Sequence, residues 1–177
     1  MIRVLDKTSP EFRERLAALA ARNGWDADAI GAVMYIETAK TFSPSIRNPS
    51  SGATGLIQFM PATALSLGTT TAELARMTAV QQLEYVELYL QRTPIRGRTG
   101  LRRVDYYLAV WRPVAVGMPM GAPLVSRGEA AYDQNAVFDA DHKGYITPAD
   151  LDAPMARAYG ETVVAKKKAV AAEPSES

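Results

Sequence analysis

The chain has 177 residues, close to half of them hydrophobic, with 20 basic and 19 acidic side chains and no cysteine. One domain is the expected size, and a formal charge of +1 supplies no basic field, so nucleic acid is not an expected partner. Disulfides and thiolate metal sites are excluded, and no window nears the roughly 18 apolar residues of a membrane helix, so no membrane insertion is expected.

In chain order the pattern is mainly helical. Ser9 can cap a first helix with Pro10 at its first position, Phe12, Leu16, Leu19 and Ala20 recur at helical spacing, and Gly24 follows its end. A second helix is predicted from near Asp26, with Ile30, Val33 and Met34 on one stripe. Glu37 continues that stripe one turn beyond Val33, which puts a carboxylate on the inward edge of a helix. Residues 41–55 are dense in Ser, Pro, Asn and Gly and read as a long ordered or functional loop. A short helix is expected after Pro61. Thr70 with Glu73 and Thr78 with Gln81 form two capping boxes ahead of apolar runs, the second predicting a helix over 79–92. Another helix is predicted over 101–111, where Val104, Tyr107, Leu108 and Trp111 share a face. The Gly, Pro and Met content of 113–128 predicts irregular chain, and Thr147, Pro148 and Asp150 start a last helix. From Val163 the chain is rich in Lys, Ala, Glu and Ser and is expected to be disordered.

Two segments carry chemistry: Tyr35-Ile36-Glu37-Thr38, and Ser51-Gly52-Ala53-Thr54-Gly55-Leu56-Ile57-Gln58-Phe59-Met60-Pro61. By position alone Glu37 also reads as a helix-end residue that is exposed or salt-bridged to Lys40 or Arg47. Gly52 and Gly55 allow close approach of backbone to a ligand, though a turn before a helix cap explains the glycines as well. Together, over roughly 10–155, the two motifs and their order resemble the transglycosylase SLT, or lysozyme-like, family. There a glutamate ends a helix, and a Gly-Leu-x-Gln segment follows after a polar loop. The resemblance implies a mainly α, lysozyme-like single domain over 1–162, followed by the tail at 163–177. It also implies that Glu37 is the acid and base in cleavage of the MurNAc–GlcNAc bond of peptidoglycan, with the sugar's own C6 hydroxyl as attacking group and a 1,6-anhydromuramic product. One glutamic acid can serve both roles if a partly apolar pocket raises its pKa.

The same resemblance assigns Ser51, Gly52 and Gln58 to substrate, with Gln58 either orienting Glu37 or bonding the glycan. The family's usual Ala-x-Tyr-Asn-x-Gly segment is missing. Asp105-Tyr106-Tyr107-Leu108-Ala109-Val110 and Ala131-Tyr132-Asp133-Gln134-Asn135 resemble instead a phage-associated branch, which implies Tyr107, Tyr132 and Asn135 at the cleft. Core packing explains Tyr107 and Trp111 equally well.

Residues 139–150 resemble an EF-hand loop, with Asp139, Asp141, Gly144 and Ile146 at positions 1, 3, 6 and 8. Lys143 stands at position 5, where an oxygen ligand is needed, and Asp150 replaces the long bidentate Glu at position 12. A degenerate loop kept for its shape is expected. Asp139, Asp141 and Asp150 are the only metal-ligand candidates, calcium binding is expected to be weak at most, and no other cofactor is expected. His142 reads as an exposed loop side chain.

A hydrolytic muramidase using Glu37 with water remains open, Asp105 or Asp133 being its candidate second carboxylate. A non-catalytic glycan-binding module of a phage tail or injection machine also remains open. The expected partner is the peptidoglycan glycan strand, with a phage tail or injection-machine component second. No apolar h-region follows Met1, so no signal peptide is expected; delivery from the cytoplasm to the wall is expected through phage lysis, a tail or an injection machine.

Overall fold

A computed structural model describes residues 1–161; the predicted tail, and residue 162 of the predicted domain, lie outside the described residues. Eight α-helices appear among them: α1 Pro10–Asn23, α2 Ala27–Glu37, α3 Pro61–Ser66, α4 Thr71–Leu74, α5 Ala79–Leu90, α6 Arg103–Trp111, α7 Ala130–Asn135 and α8 Pro148–Ala158. Short 3-10 turns occupy Arg3–Lys7, Pro113–Ala115 and Ala136–Phe138. None of the described helices is long and apolar enough to cross a membrane.

The helix starts follow the local chemistry of their caps. Ser9 accepts from the Phe12 amide at 3.1 Å, and Asp26 accepts from the Asp28 and Ala29 amides at 2.8 and 3.2 Å. Thr70, Thr78 and Thr147 form reciprocal boxes with Glu73, Gln81 and Asp150. Each cap satisfies amides that have no partner inside the helix, at about 1 kcal/mol apiece. The box at Thr70 starts only a single turn, α4. The helix predicted over 79–92 ends earlier, at Leu90, and α7 occupies a stretch for which no helix was predicted.

The element that places the site is α2. Its residues Ala29 to Met34 are all buried, so the single apolar stripe expected there is in fact a helix enclosed on every side. It packs on α1, α6, α8 and the turn Arg3–Lys7. Gly31 makes the last contact possible: a Cβ there would lie 2.9–3.0 Å from both Leu5 methyl carbons. α6 is likewise buried without interruption from Val104 to Ala109. Arg103 pairs with Asp152 through two 2.8 Å bonds, tying α6 to α8, and Arg22 pairs with Glu87 between α1 and α5.

The stretch 113–128, expected to be irregular, contributes strand β1, Val125–Ser126. It pairs antiparallel with β2, Tyr145–Ile146, with Val125 opposite Ile146. A two-residue strand is too short to register as alternation, and only its partner in the 139–150 loop defines it.

Candidate active site

Glu37 is the last residue of α2, and its carboxyl is enclosed by protein while the residue keeps a partly exposed edge. Burial pushes its pKa up from 4.5 to about 7, and the neighbouring Tyr107 hydroxyl pulls it part of the way back. The negative end of the α2 dipole acts in the same direction as burial. No ion pair joins Glu37 to Lys40 or Arg47 among the described residues. The group is therefore an isolated carboxyl, poised to hold or release a proton near neutrality.

Tyr107 comes from the middle of α6. It is buried, and its ring meets Phe138 edge to face at 6.1 Å. Burial and the charge of Glu37 hold its hydroxyl far above the ordinary tyrosine range, so it remains a donor. Core packing and contact with Glu37, set against each other in the sequence, coexist in one side chain.

The backbone after Glu37 is unusual. Ala39, Lys40 and Phe42 all have positive φ, at 49°, 72° and 57°, and Gln58 joins them at 53°. Left-handed geometry costs a non-glycine residue roughly 1 kcal/mol or more, and persists where the surroundings over-determine it. Thr38 does so here: its hydroxyl donates to the Met34 carbonyl at 2.7 Å and accepts from the Phe42 amide at 2.8 Å. Phe42 is buried beside Phe12 and Tyr35, at ring separations of 5.9 and 5.6 Å. The chain thus leaves α2 in a clamped turn immediately after Glu37.

Residues 46–59 form two tight reversals. The Asn48 amide donates to Ala53 at 2.8 Å, the Gly55 amide to Ile46 at 2.9 Å, and Thr54 and Phe59 exchange bonds of 3.0 and 2.9 Å. Gln58 turns its amide nitrogen to the Gly55 and Ile46 carbonyls at 3.1 and 3.4 Å. Ser51 is exposed and accepts from the Ala53 amide at 3.3 Å. Gly52 turns at φ 73° beside the Pro61 ring.

Two residues outside the motifs organise this region. Gln82 of α5 is fully buried, accepts from the Leu56 amide at 3.0 Å and donates to the Pro44 and Leu74 carbonyls at 2.7 Å each. It lies so close to Gly55 that a Cβ there would collide with its Oε1. The glycine is thus required by a buried amide as well as by its φ of 86°. Tyr89 donates to the Ala109 carbonyl at 3.1 Å, and its ring meets Phe59 edge to face at 6.4 Å. Burial raises its pKa, and the charge of Glu37 adds to the rise. Neither residue stands out in the sequence: a tyrosine or a glutamine in a helical run carries no local signal for such a role.

Tyr132 and Asn135 lie on α7. Tyr132 is buried and donates to Asp139 at 2.7 Å, so its hydroxyl belongs to the acidic loop, and Asn135 donates to the Ala131 carbonyl at 2.9 Å. Phe138, three residues beyond Asn135, is the contact from this segment to Tyr107. Of the second-carboxylate candidates, Asp105 is buried and committed to Arg102, at 2.7 and 2.9 Å, and to the Gly117 amide at 3.0 Å. Burial alone would raise its pKa, but these partners outweigh it and hold it low. Asp133 is exposed on α7, and His142 is exposed in the loop.

Among the metal-ligand candidates, Asp139, Asp141 and Asp150 converge on the ammonium of Lys143. Compared with known proteins, the chain matches no family model, no curated protein and no solved structure.

Proposed function

We propose that this chain is a lysozyme-like lytic transglycosylase that cleaves the β-1,4 bond between MurNAc and GlcNAc in peptidoglycan, with Glu37 as acid and then base. The observation that carries the reading is the state of Glu37: an enclosed carboxyl with a pKa near 7, free of ion pairs among the described residues and with the Tyr107 hydroxyl beside it. A general acid is most effective when its pKa lies near the working pH.

In the first step the protonated Glu37 gives its proton to the glycosidic oxygen as the C1–O bond breaks, releasing GlcNAc with a free 4-hydroxyl. Positive charge on the muramic C1 is stabilised by the substrate's own N-acetyl group. Glu37 is now a carboxylate, and the neighbouring Tyr107 hydroxyl favours that anionic form. In the second step Glu37 removes the proton of the C6 hydroxyl, O6 bonds to C1, and the acid is regenerated. No water is consumed.

Transglycosylation is favoured over hydrolysis by the surroundings of Glu37. No second carboxylate contributes to its raised pKa among the described residues. Two-carboxylate glycosidases place the pair about 5–9.5 Å apart. Asp105, already bound to Arg102, is not a free nucleophile or base.

The reading is tested by incubating the protein with peptidoglycan and identifying the released fragments by mass spectrometry. Anhydromuropeptides are expected. Fragments with new reducing ends would replace the reaction with hydrolysis, and binding to the wall without release would replace the enzyme with a glycan-binding module.

A further inference from the structure

The 139–150 segment has the turn and the oxygen positions of a calcium loop, and its residues do not fit a calcium ion as they stand. Lys143 Nζ lies 3.1 Å from Asp139 Oδ1, 2.9 Å from Asp141 Oδ1 and 2.9 Å from Asp150 Oδ2. These are loop positions 1, 3 and 12, the carboxylates that surround the ion when such a loop binds one. We propose that the Lys143 ammonium is a tethered internal cation that takes the place of the divalent ion, so that the loop holds its shape without metal, and that removing this ammonium exposes an oxygen-donor site of the calcium class. The proposal stands apart from the chemistry at Glu37.

The rest of the loop is built as though a cation were present. Gly144 makes the sharp turn at position 6, with φ 91°. Asp139 is fully buried, and its Oδ1 accepts from the Lys143 amide at 3.0 Å, its Oδ2 from the Gly144 amide at 2.8 Å and Tyr132 at 2.7 Å. Asp150 accepts from the amide and hydroxyl of Thr147 at 2.7 Å each, so one carboxylate both caps α8 and faces the ammonium. Ile146, fully buried, closes the β1–β2 pair against Val125. Three carboxylates so close together repel strongly unless a positive charge sits between them. The lysine supplies that charge from inside the loop, and burial, which alone would lower its pKa, is outweighed by the three acidic partners. The ammonium donates hydrogen bonds to Asp139 and Asp141 and faces the Asp150 carboxylate as an ion pair.

The ordering also reaches α6. Asp139 follows Phe138 directly, and the Phe138 ring packs on Tyr107. The lysine lock therefore fixes the segment that leans on α6.

The test uses the full chain and calcium itself. Thermal unfolding and calorimetric titration are run in excess EDTA and in millimolar CaCl2 on the wild type, Lys143→Met and Lys143→Asn. The wild type is expected to melt at the same temperature in both and to show no calcium heat. Lys143→Met is expected to melt lower in both. Lys143→Asn, which puts an oxygen at position 5, is expected to melt lower in EDTA and recover in calcium, with binding at the weak, submillimolar-to-millimolar end because Asp150 is too short for the usual bidentate contact. A calcium-induced rise in the wild-type melting temperature overturns the proposal, as does a Lys143→Asn variant that is unchanged in EDTA and indifferent to calcium. Should neither variant fold, acylation of wild-type lysines followed by mass spectrometry decides. Lys143 is expected to react far more slowly than the exposed Lys40, and equal reactivity overturns the proposal.

Discussion

Replacing Glu37 by Gln should stabilise the protein, and only above a definite pH. The folded state raises the Glu37 pKa from 4.5 to about 7, so it binds the proton more tightly than the unfolded chain does. The stability linked to that proton is fully present below about pH 4.5, declines between 4.5 and 7, and is lost above 7. At about 1.4 kcal/mol per pH unit the loss reaches about 3 kcal/mol, a ceiling because one edge of the residue keeps its water. Glutamine is uncharged and nearly isosteric, so it escapes this loss. At pH 4 the two proteins should melt together; at pH 8.5 the variant should melt higher, by at most about 6–12 °C, given about 2–4 °C per kcal/mol for a chain of this size. Thermal unfolding followed by circular dichroism across pH 4–9, with urea titrations at both ends, measures the difference. An offset that is constant across pH, or a variant less stable at pH 8.5, would refute the buried-acid picture of Glu37.

Wall-cleaving activity should fall on an alkaline limb centred near pH 7, because the first step needs protonated Glu37. Tyr107→Phe removes the hydroxyl that lowers that pKa, so the limb should move to higher pH while the maximal rate drops; pH–rate profiles of both proteins check the sign. Gln82→Ala leaves the Leu56 amide and the Pro44 and Leu74 carbonyls without their partner, and should cost about 2–4 kcal/mol in urea unfolding. Gly55→Ala should be at least as damaging, since its Cβ meets Gln82 and its φ is positive; a loss below about 1 kcal/mol in the same titration would contradict the packing described.

The helix starts were legible in the sequence because caps are local: Ser9, Asp26, Thr70, Thr78 and Thr147 act on amides two or three residues away. Glu37 stood out as a carboxylate on an apolar stripe, and the structure adds why its pKa is raised. What the sequence did not reveal depends on long-range closure. Gln82 matters through residues 8, 26 and 38 positions away, and Tyr89 through the carbonyls ending α6. The positive φ of Ala39, Lys40 and Phe42 has no glycine to announce it and is imposed by Thr38 and by the burial of Phe42. Lys143 was visible as a misfit in a calcium-like loop; only the placement of its ammonium among three carboxylates makes the misfit intelligible.

The most direct test of the central claim is mass spectrometry of peptidoglycan digested by the wild-type protein and by Glu37→Gln, under conditions where both are folded. Anhydromuropeptides from the wild type, and none from the variant, are the predicted result. Equal release by the two proteins would contradict the role given to Glu37, and no release by the wild type would contradict the proposed activity.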